Sequence, residues 1–361
     1  MYKRSISPIV AVILLIVITV GISAFTYLYF SGLLNQLLIQ TSEKIEYISD
    51  VSLLSITNAI WYDYRDGLVL ELRFDEGYGN ITYDTSGNNN HGTLYNGPKW
   101  VDGILGKALS FDGVNDYVEA RKTWTYRASQ RDQSTWIVLF KMNTLPPSGY
   151  YYKVLGSNTH DMSIFIRSDG QVGFRHQYNQ YLFSGYAAKP NERVFAAASA
   201  KYLSLTQIEY VVFANGVMRK GVHTHNDLNR NNSYTGYYIG HNSIWMGVYF
   251  NGTIDEVRIY NKALSDDIIK NLFYKIQLII YNPSTKPINI NGTYFSIGDC
   301  VFQLIYNQTF ITYPENKYII YPQEQIMLKV SHINCHLERD KEYEVCLLHD
   351  ERRNCNNVLI S

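Results

Sequence analysis

The segment Gly67-Leu68-Val69-Leu70-Glu71-Leu72-Arg73-Phe74-Asp75-Glu76-Gly77 sets Leu68, Leu70, Leu72 and Phe74 in alternation with Val69, Glu71 and Arg73. A period of two is that of a strand with one buried face. Comparable short runs follow at 107–112, 115–120, 135–142, 151–156, 162–167, 171–176, 193–200, 208–214 and 254–260, separated by clusters of Gly, Asn, Asp and Pro. Many short strands at this spacing predict an all-β body of the sandwich or jelly-roll kind.

Four motifs in order give that body a resemblance. They are Gly67 to Gly77; Tyr83-Asp84-Thr85-Ser86-Gly87-Asn88-Asn89-Asn90-His91-Gly92-Thr93; Gly106-Lys107-Ala108-Leu109-Ser110-Phe111-Asp112-Gly113-Val114-Asn115-Asp116-Tyr117-Val118; and Asn251-Gly252-Thr253-Ile254-Asp255-Glu256-Val257-Arg258-Ile259-Tyr260 with Ala263-Leu264-Ser265. Together they resemble laminin-G-like, concanavalin A-like lectin/glucanase domains, although residues 192–201 lack the usual Trp-x-His. The resemblance implies a concanavalin-like β-sandwich over 66–274, carbohydrate binding, and a structural calcium with Asp84, Asn88, Asp112 and Asp255 as candidate ligands. Calcium takes 6–8 oxygens, but Asp and Asn in such turns also serve the backbone alone.

Upstream, Lys3 and Arg4 precede a run from Ser5 to Ser42 without a charged residue, apolar from Ile6 to Phe30. As a helix, 6–42 would reach roughly 55 Å, beyond the ~30 Å hydrocarbon core. Basic residues before it and none directly after it predict a cytoplasmic N-terminus and an external body. Lys3-Arg4-Ser5-Ile6-Ser7-Pro8-Ile9-Val10-Ala11-Val12-Ile13-Leu14-Leu15 resembles the N-terminus of archaeal type IV pilins, except that Val10 stands where bacterial pilins carry Glu. That resemblance implies a leader at 1–5 cut between Ser5 and Ile6 by a prepilin peptidase, a stem at 6–42 packing on other pilin subunits, and a pilus assembly machinery as partner. A plain uncleaved single-pass anchor is the alternative.

Beyond the central body, Ser265 followed by Asp266 and Asp267 predicts a short capped helix to Phe273. Strands are predicted over 275–281, 288–295, 301–306, 310–313, 326–331 and 343–348, a small C-terminal sandwich. Residues 280–290 resemble the head of archaeal pilins and archaellins. With 43–65 also strand-like, the chain reads as a pilin-like head, 43–65 plus 275–361, interrupted by the 66–274 domain. All four cysteines lie in the C-terminal part, which suggests disulfides. Four cysteines allow three pairings. The spacing favours Cys346 with Cys355 over a hairpin, leaving Cys300 for Cys335; a zinc site at His332, Cys335 and His336 is the rival, without paired Cys-x-x-Cys.

The 361 residues hold 32 Lys plus Arg and 32 Asp plus Glu. With no net field and no basic stripe, nucleic acid is excluded as an expected partner. Sequons at Asn80, Asn231, Asn251, Asn291 and Asn307 agree with export and glycosylation. Catalysis is not expected: glycosidases need two carboxylates facing one cleft, and the neighbours Asp255 and Glu256, or Asp75 and Glu76, would point to opposite faces of a strand. The 32 Tyr suit strands and surfaces that stack on flat ligands. Tyr178 and Tyr181, in a stretch rich in Tyr, Asn and Gln, and Trp245 are the candidate sugar-binding residues. The expected whole is a surface-anchored, pilin-like adhesin that binds glycans; a structural filament or envelope subunit and a membrane-anchored glycoside-active enzyme are the alternatives.

Overall fold

The computed structural model describes residues 54–120, 124–127, 133–157, 162–176, 180–204, 206–224, 231–234, 236–241, 247–290, 293–298, 300–303, 311–312, 319–331, 337–349 and 352–360. Alternation decides which way each strand faces. In Ser134–Met142, Trp136, Val138, Phe140 and Met142 enter the main core, while Ile137 and Leu139 enter a second core on the other side. A strand buried on both faces is a central one. It lies between Arg193–Tyr202 and Asn251–Tyr260 in an eight-stranded sheet.

A nine-stranded sheet faces it across the main core, contributing Val118, Tyr152, Val154, Ile164, Phe174 and Ile239 among others. The outer face of the eight-stranded sheet is covered by the helix Asp266–Phe273. Ser265 caps that helix by accepting from the Ile268 amide, and Ile269, Leu272 and Phe273 are buried against Phe195 and Phe213. The C-terminal body holds two four-stranded sheets and a separate core. Its first strand, Ser55–Trp61, precedes the central body and pairs antiparallel with Ile276–Tyr281, which follows it. The chain thus leaves and returns at one place, where the Tyr62 amide donates to the Lys275 carbonyl at 2.7 Å. In the second C-terminal sheet, Cys346 and Cys355 face each other across antiparallel strands and form a disulfide.

Two expectations are corrected. Among the described residues none of the six sheets closes on itself, so the jelly-roll sandwich gives way to two open sheets laid over a shared core, and the small C-terminal sandwich to two four-stranded open sheets and a two-stranded one. Nor is any helix among them long and apolar enough to cross a membrane. The α-helix Asp266–Phe273 has eight residues, about 12 Å against the ~30 Å of a bilayer core. The stem expected over 6–42, with its cleavage point at Ser5 and Ile6, lies outside the described residues. The pilin-like, membrane-anchored adhesin is therefore not supported. With it go the surface localisation, the membrane, the prepilin peptidase and pilus machinery, and the stem-to-stem partners.

Strand Asn251–Tyr260 departs from the sequence reading in a telling way. Its register with Ser134–Met142 shifts between Ile254 and Val257, both in the main core, so Asp255 and Glu256 share the place opposite Leu139. In such a bulge two residues oppose one, and the two carboxylates leave on the same side rather than on opposite faces. Asp255 is 1% exposed, and its Oδ2 accepts from the amides of Ile104 at 2.7 Å and Leu105 at 3.0 Å. Glu256 turns to the junction between the two bodies. There it meets Lys275 at 3.0 Å, Arg339 at 2.8 Å and Arg258 at 3.2 Å, while Arg258 also reaches Glu71 at 2.8 Å and Asp63.

Burial by itself would raise the Glu256 carboxyl, but Lys275, Arg258 and Arg339 hold it well below the usual range. Glu71 is lowered in the same balance, burial against Arg258 and Arg73. Lys275, buried and close to Arg258 and Arg339, is pulled down to about 8 despite Glu256. Asp255 goes the other way: burial and then the Glu256 charge push it well above the usual value, against the amides of Leu105 and Ile104 and against Arg339.

Arg258→Met leaves Glu71 and Glu256 buried with too little positive charge. It should lower the free energy of urea unfolding by about 3–5 kcal/mol; a loss within the error of the measurement would refute the role given to the cluster. The low values of Glu256 and Glu71 mean that their share of stability is present above the ordinary carboxylate range and is lost as pH falls through their folded values. Lys275 binds fewer protons folded than unfolded between about 8 and 10.5, so by itself it makes stability rise with pH across that window. Asp255, with a raised value, adds stability below 3.8 that is lost as pH rises through its folded value. Asp255→Asn keeps an acceptor for the two amides. The stability of this variant relative to the parent should therefore grow with pH from 3.5 upward, and urea titrations at a series of pH values that show a flat difference would contradict the raised value of Asp255.

Candidate functional site

The outer face of the nine-stranded sheet is a surface of rings, and register explains why. Val118 and Ala120 of Tyr117–Ala120 enter the core, so Tyr117 and Glu119 face out; Tyr237 and Ile239 enter it, so Tyr238 faces out. Partners across strands share a face. Tyr95 therefore stands beside Tyr117, and Thr93, Glu119, Tyr238 and Gly156 form the next row. Tyr95 and Tyr117 stack with centroids 4.8 Å apart, Tyr117 meets His241 edge-on at 4.8 Å, and His241 continues to Tyr238 at 5.0 Å and Tyr249 at 5.7 Å.

A second group follows on the same face. Lys153 pairs with Phe165, Phe165 with Gly173, and Gly173 with Phe183. Phe165 packs edge-on against Tyr151 at 5.5 Å, Tyr181 at 5.6 Å and Phe183 at 5.7 Å. Two glycines make room. A Cβ at Gly173 would stand 2.6 Å from the Phe165 ring, and one at Gly156 would stand 2.0 Å from Lys153 Cε. Lys153 lies over Gly156 and donates to the Ser157 carbonyl at 2.5 Å.

Polar groups are set between the rings. Tyr238 donates to Glu119 at 2.8 Å, and Arg175 and Arg167 lie over Tyr181 and Phe183 at 5.6 and 4.5 Å. Half-buried rings, packed on the buried Phe165 in the second group, next to fixed donors and acceptors have the chemistry to take a flat, partly polar ligand.

Of the residues chosen from sequence as sugar-binding, Tyr181 lies on this face and is 37% exposed; Tyr178 and Trp245 lie outside the described residues. The sequence reading missed Tyr95, Tyr117, Tyr238 and His241. The alternation Tyr117-Val118-Glu119-Ala120 signalled an outward Tyr, but of its neighbours Tyr238 and His241 come from more than a hundred residues away.

The four candidate calcium ligands are engaged with the backbone around them, Asp84 and Asn88 in one turn, Asp112 in another and Asp255 in the strand Asn251–Tyr260. Asp84 accepts from the amides of Glu71, Ser86 and Asn90, each at 2.9 Å, and Asn88 donates to the Leu68 carbonyl at 3.2 Å. Asp112 accepts from the Val114 amide at 2.8 Å, and Asp255 holds Ile104 and Leu105. Their oxygens do not converge, so the set does not fit an ion that needs 6–8 oxygens. Among the described residues, three His, Cys, Asp or Glu ligand atoms lie within 4.8 Å of one another at Glu344, Cys346 and Cys355, where the two sulfurs are bonded to each other.

Asn80 is exposed, Asn251 is half-buried and accepts from Asn143 at 2.9 Å, and Asn231 opens the strand Asn231–Tyr234. Asn291, Asn307 and Cys335 lie outside the described residues; Cys300 begins the strand Cys300–Gln303.

Residues 112–270, less than half of the chain, match the family model described as the Concanavalin A-like lectin/glucanases superfamily. None of the curated proteins compared with the chain is similar to it in sequence. Among solved structures, domain 4 of AbnA, a GH43 extracellular arabinanase from Geobacillus stearothermophilus in complex with arabinotriose, is 19% identical, with 57% of this chain and 97% of that one covered and a TM-score of 0.42. The binding domain of Paraclostridial Mosquitocidal Protein 1 is 14% identical, with 81% of each chain covered and a TM-score of 0.46. A mutant of Trypanosoma rangeli sialidase displaying trans-sialidase activity is 15% identical, with 57% of this chain and 32% of that one covered and a TM-score of 0.42.

Proposed function

We propose that the chain is a non-catalytic glycan-binding protein whose ligand lies on the outer face of the nine-stranded sheet. The observation that carries the reading is the run of rings from Tyr95 through Tyr117, His241 and Tyr238, with Phe165, Tyr181 and Phe183 beyond it. A pyranose has one face lined by C–H groups and a rim of hydroxyls. The face packs on rings, and the rim meets the Glu119 carboxylate and the arginines. The match of residues 112–270 to a superfamily that includes lectins supports the same reading.

Glu256, the one acid of the bulge held ionised, is neutralised by three buried cations and has no access to a substrate. That supports binding over turnover. A glycan array probed with the full chain, with hydrolysis assays on every glycan that binds, tests the proposal. Tyr117→Ala and Tyr181→Ala should each weaken the best ligand roughly 2- to 10-fold, the ~0.5–1.5 kcal/mol of one ring contact, without moving the unfolding midpoint by more than a surface substitution does. An array without a hit, or unchanged affinity in both variants, would refute it; release of sugar would refute the non-catalytic part.

A further inference from the structure

The hairpin made by Glu342–His349 and Arg352–Leu359 gathers side chains of the metal-binding kind on one face. Val345, Leu347 and Val358 enter the core of the C-terminal body, so Glu344 and Cys346, one step to either side of Val345, face away from it. Cys355 stands opposite Cys346, and Asn357 stands opposite Glu344. The four occupy the corners of a rectangle ~6.8 Å along the strands and ~4.8 Å across them. A ligand atom from each of Glu344, Cys346 and Cys355 lies within 4.8 Å of the other two. Cys346 is buried, Cys355 half-buried and Glu344 exposed, so the group opens to solvent at its carboxylate end.

With the disulfide formed, both sulfurs are used and no metal is held. Reduction changes that: a dithiol reductant passes two electrons and two protons to the Cys346–Cys355 bond, is itself oxidised to a disulfide, and leaves two thiols. The backbone ladder, eight residue pairs from Glu342 with Leu359 to His349 with Arg352, fixes the two cysteines opposite each other without help from the sulfurs. Two thiolates and a carboxylate are ligands that zinc takes, with Zn–S about 2.3 Å and Zn–O about 2.0–2.2 Å. A tetrahedral ion so bound holds its ligand atoms roughly 3.5–3.8 Å apart, a spacing that rotation of the three side chains meets. Glu344 has a neighbour of its own, but a carboxylate offers two oxygens with about four lone-pair positions and keeps room for an ion beside it.

We propose that the reduced hairpin binds one zinc ion through the Cys346 and Cys355 thiolates and the Glu344 carboxylate, with water or Asn357 Oδ1 in the fourth position. Binding displaces the two thiol protons. The ion joins the same two strands that the disulfide joins, which gives the hairpin a cross-strand link in either redox state. This site belongs to the C-terminal body and stands or falls independently of the glycan-binding face.

The test uses the full chain with Cys300→Ser and Cys335→Ser, which leaves the pair as its one source of thiolate. After reduction with dithiothreitol and removal of the reductant without oxygen, zinc is titrated against a colorimetric chelator, and cobalt is added separately as a spectroscopic probe. One zinc per chain and the thiolate-to-cobalt charge-transfer band are expected in the reduced protein, and neither in the oxidised protein. Glu344→Gln, at an exposed position, should weaken zinc roughly tenfold or more, about 1.4 kcal/mol, and Cys355→Ser should diminish the cobalt band. Should the reduced chain lose its fold without metal, zinc is expected to restore its near-ultraviolet circular dichroism. A reduced chain that neither takes up zinc nor regains its fold with it, equal uptake by the oxidised chain, or an affinity left unchanged by Glu344→Gln or by Cys355→Ser would overturn the assignment.

Discussion

Strand Asn251–Tyr260 works in two directions. Along its edges it pairs with Ser134–Met142, Lys107–Asp112 and Leu68–Leu72, so the eight-stranded sheet is assembled around it. Out of its plane, the bulge at Asp255 and Glu256 sends one carboxylate to the amides of Ile104 and Leu105 and the other into the charge cluster at the junction. A buried ion is tolerated only when its partners are in place. Glu256, Arg258, Lys275, Arg339 and Glu71 therefore tie the central and C-terminal bodies together through a narrow set of allowed geometries.

The same cluster explains how the C-terminal body is mounted. Its strands Ser55–Trp61 and Ile276–Tyr281 are neighbours, and the central body starts and ends beside them. Lys275 sits at the return point and Arg339 comes from the far side, where Leu105 and Leu337 bridge the two bodies. Charge and apolar contact thus meet at one seam, and Leu105, held by the acid of the bulge, belongs to the core of the C-terminal body.

The two large sheets differ in what covers them. Helix Asp266–Phe273 buries the outer side of the eight-stranded sheet around Phe195 and Phe213. On the nine-stranded sheet, rings lie half-buried among Lys153, Arg175 and Glu119. A sheet surface of that kind sets apolar area beside fixed polar atoms.

Alternation along Leu70 to Phe74, Trp136 to Met142 and Tyr117 to Ala120 marks the residues that enter the main core, because the side-chain period of a strand is a local property; it misplaced Leu68, which lies before a register shift and enters the other core, and Glu71, which is buried. The cap at Ser265 and the hairpin between Cys346 and Cys355 were legible for the same reason. Even the bulge left a mark, since Ile254-Asp255-Glu256-Val257 places two polar residues where strict alternation allows one. Sheet order and register were not legible. Tyr95, Tyr117, Tyr238 and Phe165 come to share one sheet face only through pairings between separate segments. Whether a buried carboxylate is shifted up, as in Asp255, or down, as in Glu256, depends on which charges the fold brings to it. One residue apart in sequence, the two shift in opposite directions because tertiary structure gives Glu256 three cations and leaves Asp255 buried beside the Glu256 charge.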